Sequence, residues 1–96
     1  MRKFTIFVLD DDEPFCGLLA AVVEQNFSAA KIKGYEVVLK TYCDMKNLAG
    51  AAEWVKENKP DLILLDYMLG NEVSACLDSL NMLKKFLPYC DNIKML

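Results

Sequence analysis

There is no histidine anywhere in this sequence. Its absence removes the Ser-His and Cys-His nucleophile systems and the commonest general base from consideration, and it rules out a mixed Cys/His zinc site. The four cysteines, Cys16, Cys43, Cys76 and Cys90, show no CxxC spacing. Reduced, partly buried thiols are therefore expected in place of a metal or disulfide framework. Basic runs are missing too. Eleven Lys and Arg face fourteen Asp and Glu, a net charge of −3, so no direct nucleic-acid partner is expected. No apolar stretch reaches the roughly 18 residues a membrane span needs; FCGLLAAVV (15–23), the longest, opens an amphipathic pattern. The basic and apolar start MRKFTIFVL ends in acids without a small-residue cleavage site, and a soluble cytoplasmic protein with no membrane partner is the expectation. Glycine numbers only four. No glycine-rich loop follows the first apolar run, which excludes the usual backbone cradles for phosphate.

What is present is enough apolar material for one core: 54% of 96 residues. FTIFVL (4–9) is rich in β-branched and aromatic residues and lacks clean alternation, as a strand covered on both faces should. Phe15, Leu18, Leu19, Val22, Val23 and Phe27 then fall at helical spacing and predict a helix with one buried face, its first turn carrying acids and Pro14. After a connection over 26–34, YEVVLKTY (35–42) reads as a second, less buried strand. Asp44 caps a predicted second helix bearing Met45, Leu48, Ala49, Ala52 and Val55, which ends near Asn58 before Pro60. LILL (62–65), bounded by Asp61 and Asp66, has the unbroken aliphatic character of a central parallel strand. YMLGNEVSAC (67–76) is ambiguous between a loop and an early helical turn. A third helix is expected from Asp78 until Pro88, and IKML (93–96) opens a fourth strand.

This alternation predicts an α/β fold, an open parallel sheet with helices on both faces. In the flavodoxin-like order strands 1 and 3 are neighbours, and ligands bind outside their carboxyl ends. Strand 1 runs into Asp10, Asp11 and Asp12, and strand 3 into Asp66. Carboxylates so close repel one another unless a cation compensates. Several of them at one crevice make a hard-oxygen site suited to magnesium, beside which a carboxylate can act as a nucleophile toward phosphorus. Acids after a strand are also common helix caps, and Asp12 looks more like a cap than a ligand. A phosphatase of the haloacid dehalogenase type would place its nucleophile and acid two residues apart, as Asp10 and Asp12 are. Pro14 stands where that family's motif carries threonine or valine, and the chain is short for that fold.

Through VLDDDEPF, FCGLLAAVV, PDLILLDYML and LDSLNMLKKF, from Phe4 to Leu96, the sequence resembles a receiver domain of the two-component response-regulator family. The resemblance implies a flavodoxin-like (CheY-like) three-layer α/β/α domain over residues 1–96, lacking the last helices and the fifth strand. It implies Asp66 as the phosphoacceptor and catalytic group, Asp11 as a direct magnesium ligand, Asp10 as an acid holding the ion largely through water, and the Met68 backbone carbonyl as a further ligand. The implied partner is a sensor histidine kinase or histidine phosphotransfer protein that donates the phosphoryl group. This is a signalling phosphoacceptor more than an enzyme, with magnesium-dependent self-phosphorylation and slow hydrolysis. Leu69-Gly70 and Asp78-Ser79 occupy the places of the family's Met-Pro and Asp-Gly, so residues 70–77 read as an insertion beside the site. The family's phosphate-contacting serine or threonine and its later lysine lie beyond the segment that matches. The expectation is therefore an incomplete receiver, with helix 1 partly uncovered and pairing or element exchange into a homodimer through strand 4. The competing reading is an interaction or assembly unit, or a fragment, that performs no phosphoryl chemistry.

Overall fold

A computed structural model describes residues 2–25, 35–69 and 75–96. In chain order the elements are β1 (Arg2–Leu9), α1 (Glu13–Val23), β2 (Tyr35–Tyr42), a 3₁₀ turn (Met45–Asn47), α2 (Leu48–Asn58), β3 (Leu62–Leu65), α3 (Ala75–Phe86) and β4 (Ile93–Met95). The strands form one parallel sheet in the order β2-β1-β3-β4. The expected α/β architecture is present, with β1 and β3 side by side in the middle. The 26–34 connection and positions 70–74 of the expected insertion lie outside the described residues.

Local chemistry sets the helix ends, and two of them differ from expectation. Asp12 caps α1 by accepting the Phe15 amide at 3.0 Å, with Pro14 in the first turn where a missing N–H costs nothing. Asp44 does cap, but what it caps is the short 3₁₀ turn; α2 begins three residues later, where Asn47 Oδ1 accepts the Gly50 amide at 3.1 Å. Gly50 has a packing reason to lack a side chain. A Cβ there would lie 2.5 Å from the Tyr42 hydroxyl, which donates to the Asn47 carbonyl. α3 starts by Ala75, ahead of the expected Asp78. Lys59 closes α2 in the left-handed region, φ 45°, its amide donating to the Val55 carbonyl.

Handedness explains where the core sits. The crossover from β1 to β2 runs one way along the sheet, and those from β2 to β3 and from β3 to β4 run the other way. Right-handed connections therefore put α1 on one face and both α2 and α3 on the opposite face. Phe7, Leu9, Ile63 and Leu65 pack with Ala51, Val55, Met82 and Phe86 into the main core on the α2/α3 side. Phe7 stacks on Trp54 at 5.0 Å between ring centroids and meets Phe86 edge-on at 5.9 Å.

The α1 side is thinner. Val8 and Cys16 are buried there, whereas Ile6, Leu62 and Leu64 are half-buried. The single buried face that the spacing predicts for helix 1 is only partly realised, in line with the expectation of a partly uncovered helix 1: Leu19 and Val23 are half-covered, while Phe15, Leu18 and Val22 are 38%, 66% and 43% exposed. Among the described residues one helix lies over this four-stranded face, and part of the face and of the helix itself is in contact with solvent.

Candidate functional site

Register, more than sequence proximity, assembles the acids. Leu9 pairs with Tyr42 on one side and with Leu65 on the other, and Leu65 pairs with Met95, so the four strands end level. The residues that follow, Asp10, Cys43, Asp66 and Leu96, therefore share one edge. The ladder carries on into them. The Asp10 amide donates to the Tyr42 carbonyl at 3.2 Å, the Asp66 amide to Leu9 at 3.0 Å, and the Leu96 amide to Leu65 at 2.9 Å. These bonds fix the backbone of both acids to the sheet, and Leu69, 6% exposed, anchors the chain just past Asp66.

Asp10, Asp11 and Asp66 each offer a carboxylate oxygen within 4.8 Å of the other two. Asp10 is oriented by the Asp12 amide, which donates to its Oδ1 at 2.9 Å. Asp66 Oδ1 accepts the Met68 amide at 3.1 Å. Asp66 titrates well above its ordinary 3.8, at about 6. Burial is the largest cause; the Met68 amide pulls the other way, and the Asp10 and Asp11 carboxylates and a hydrogen bond with Asp11 push it up further. Every charge acting on Asp66 in that balance is negative. A set of oxygen donors with excess negative charge and one disfavoured carboxylate suits a hard divalent cation, which would relieve the repulsion and leave coordination positions for water and a phosphate oxygen.

The sequence-predicted residues are thus placed as follows. Asp10, Asp11 and Asp66 come together, Asp12 is turned to its capping role, and Met68 lies beside Asp66 with its amide engaged to the carboxylate. Tyr67 and Met68 are exposed at the rim. The Tyr67 amide donates to the Leu96 carbonyl at 2.8 Å, tying the rim to the end of β4.

A pair of thiols beside these acids escapes sequence reasoning. The Cys43 thiol donates to Cys16 Sγ at 3.3 Å, and the Cys16 thiol lies 3.9 Å from the Asp10 carbonyl. Burial, the Cys43 contact and the nearby acids push the Cys16 thiol up to about 12. Twenty-seven residues separate the two in sequence, and no spacing motif marks them. Their signal is positional, since one directly follows β2 and the other lies in the first turns of α1, on either side of Asp10. All four cysteines stand as free thiols in the structure.

Comparison with protein-family models, with curated proteins and with solved structures finds no match for this chain. Among the described residues no helix is long and apolar enough to cross a membrane.

Proposed function

We propose that the chain is a phosphoacceptor module of the response-regulator receiver type, with a flavodoxin-like arrangement of its sheet. The observation that carries this reading is the meeting of Asp10, Asp11 and Asp66 within 4.8 Å at the carboxyl ends of two adjacent parallel strands, where open α/β sheets bind their ligands. In the proposed reaction an ionised Asp66 oxygen attacks the phosphorus of a phosphohistidine on a partner kinase or phosphotransfer protein. A P–O bond forms as the P–N bond breaks, and the imidazole nitrogen leaves with its electron pair. Asp10 and Asp11 would hold magnesium together with Asp66 and the Met68 carbonyl; the ion supplies charge neutralisation for the transferring group. The Asp12 amide orients Asp10, and the Met68 amide sets the plane of the nucleophilic carboxylate.

A second reading, an assembly unit without phosphoryl chemistry, draws support from the exposed apolar residues of α1 and from β4, which pairs only with β3 among the described residues. A homodimer formed through the β4 edge belongs to either reading. The deciding experiment is intact mass after incubation with acetyl phosphate and magnesium, run beside Asp66→Asn. A single phosphoryl gain in the parent alone supports the phosphoacceptor; a folded parent that gains nothing from an active donor removes it.

A further inference from the structure

The two thiols at the acidic edge are independent of the phosphoryl reading. Cys16 sits in the first turns of α1 and Cys43 directly after β2, so the fold alone brings their sulfurs to 3.3 Å. A disulfide bond is about 2.05 Å long, so closing it requires an approach of only about 1.2 Å. The two differ in access. Cys16 is 3% exposed, screened by its own helix and the sheet, whereas Cys43 is half-exposed. An oxidant from solution therefore reaches Cys43 first, and the group waiting beside the modified sulfur is Cys16. That is the arrangement of an entry thiol with a resolving thiol. Cys90 is differently engaged, its thiol donating to the Asn92 carbonyl at 3.4 Å, at the amino-terminal end of β4.

We propose that Cys16 and Cys43 form a reversible redox pair, closed to a disulfide by exchange with a low-molecular-weight disulfide of the oxidised-glutathione class. In the first step the Cys43 thiolate attacks one sulfur of the oxidant. The oxidant's S–S bond breaks, one thiolate leaves, and Cys43 carries a mixed disulfide. In the second step Cys16 attacks Cys43 Sγ as its proton passes to the leaving sulfur, and the other half of the oxidant departs as a thiol. Two protein thiols are oxidised by two electrons and one small disulfide is reduced to two thiols. The bond staples α1 to the end of β2, next to the turn that carries Asp10.

The test uses the full chain, reduced and then freed of reductant, incubated with graded ratios of oxidised to reduced glutathione at neutral pH. After acid quench, remaining thiols are alkylated under denaturing conditions and the protein is read by intact mass and peptide mapping. The expected product has two of the four thiols protected, retains no glutathione, yields a linked Cys16–Cys43 peptide, and returns to four alkylatable thiols with dithiothreitol. Cys16→Ser should halt at a stable glutathione adduct on Cys43, and Cys43→Ser should leave Cys16 unmodified while the protein is folded. Four alkylatable thiols at every ratio, a persistent glutathione adduct on Cys43 in the parent, or pairing that involves Cys76 or Cys90 would overturn the proposal. So would the same pairing preference in urea, which would assign it to the chain and not to the fold.

Discussion

Replacing Asp66 with asparagine should stabilise the metal-free protein at pH 8 and leave it nearly unchanged at pH 4. The reasoning follows from the direction in which Asp66 titrates, from an ordinary 3.8 to about 6. Between those values the folded state binds more protons than the unfolded state, so this group's contribution to stability falls as pH rises through the window and stays low above it. At about 1.36 kcal/mol per pK unit, full expression of the difference would cost the ionised protein about 3 kcal/mol. Asp66 is partly exposed, and solvent screening reduces the expected effect to about 1 kcal/mol. Asparagine keeps the oxygen that accepts the Met68 amide and removes the charge facing Asp10 and Asp11. Urea denaturation at pH 4, 6 and 8, without divalent cations, measures the difference. With millimolar magnesium the order at pH 8 should reverse, because an ion that binds only the native acid cluster stabilises the parent more than the variant. A variant less stable than the parent at pH 8 without metal, or a difference that does not change with pH, would refute the electrostatic account of the site.

Two further substitutions test how the scaffold holds that site. Phe7→Ala removes a fully buried ring that touches Trp54 and Phe86; it should cost about 3–5 kcal/mol, a large share of the stability of a domain this size, and the loss should appear in urea titrations followed by Trp54 fluorescence. Lys59→Gly relieves a left-handed backbone at the end of α2, φ 45°, and should add about 1 kcal/mol, seen as a melting temperature higher by about 4 °C or more.

How much of this was legible before the structure depends on which force decides each feature. The strands YEVVLKTY and LILL lie where the residues place them, because their boundaries are marked by strong local signals: an aromatic and β-branched run ending at Cys43-Asp44 and an aliphatic run ending at Asp66. The adjacency of β1 and β3 was also readable, since parallel order and right-handed crossovers leave few ways to arrange four strands; the register that ends them level and makes Asp10 and Asp66 neighbours came from the structure. Three features were not fixed by residue spacing. The spacing of Phe15, Leu18 and Val22 identifies a helix and a face, but spacing alone carries no information on what covers that face; only the resemblance, with its last helix missing, led to the expectation of a partly uncovered helix 1, and among the described residues α1 is the one helix on its side of the sheet. The start of α2 moved for a different reason. Asp44 and Asn47 are both good caps three residues apart and both are used: Asp44 opens the 3₁₀ turn, and Asn47, whose carbonyl accepts the Tyr42 hydroxyl beside Gly50, opens α2. The Cys16 and Cys43 contact belongs with these: each thiol is placed by its own element, and only the register of β1 with β2, which sets the Asp10 amide on the Tyr42 carbonyl, brings the end of β2 beside the first turns of α1. Features fixed by the chain's own periodicity can be read from the sequence, whereas those fixed by what a second element presents have to be read from the sheet.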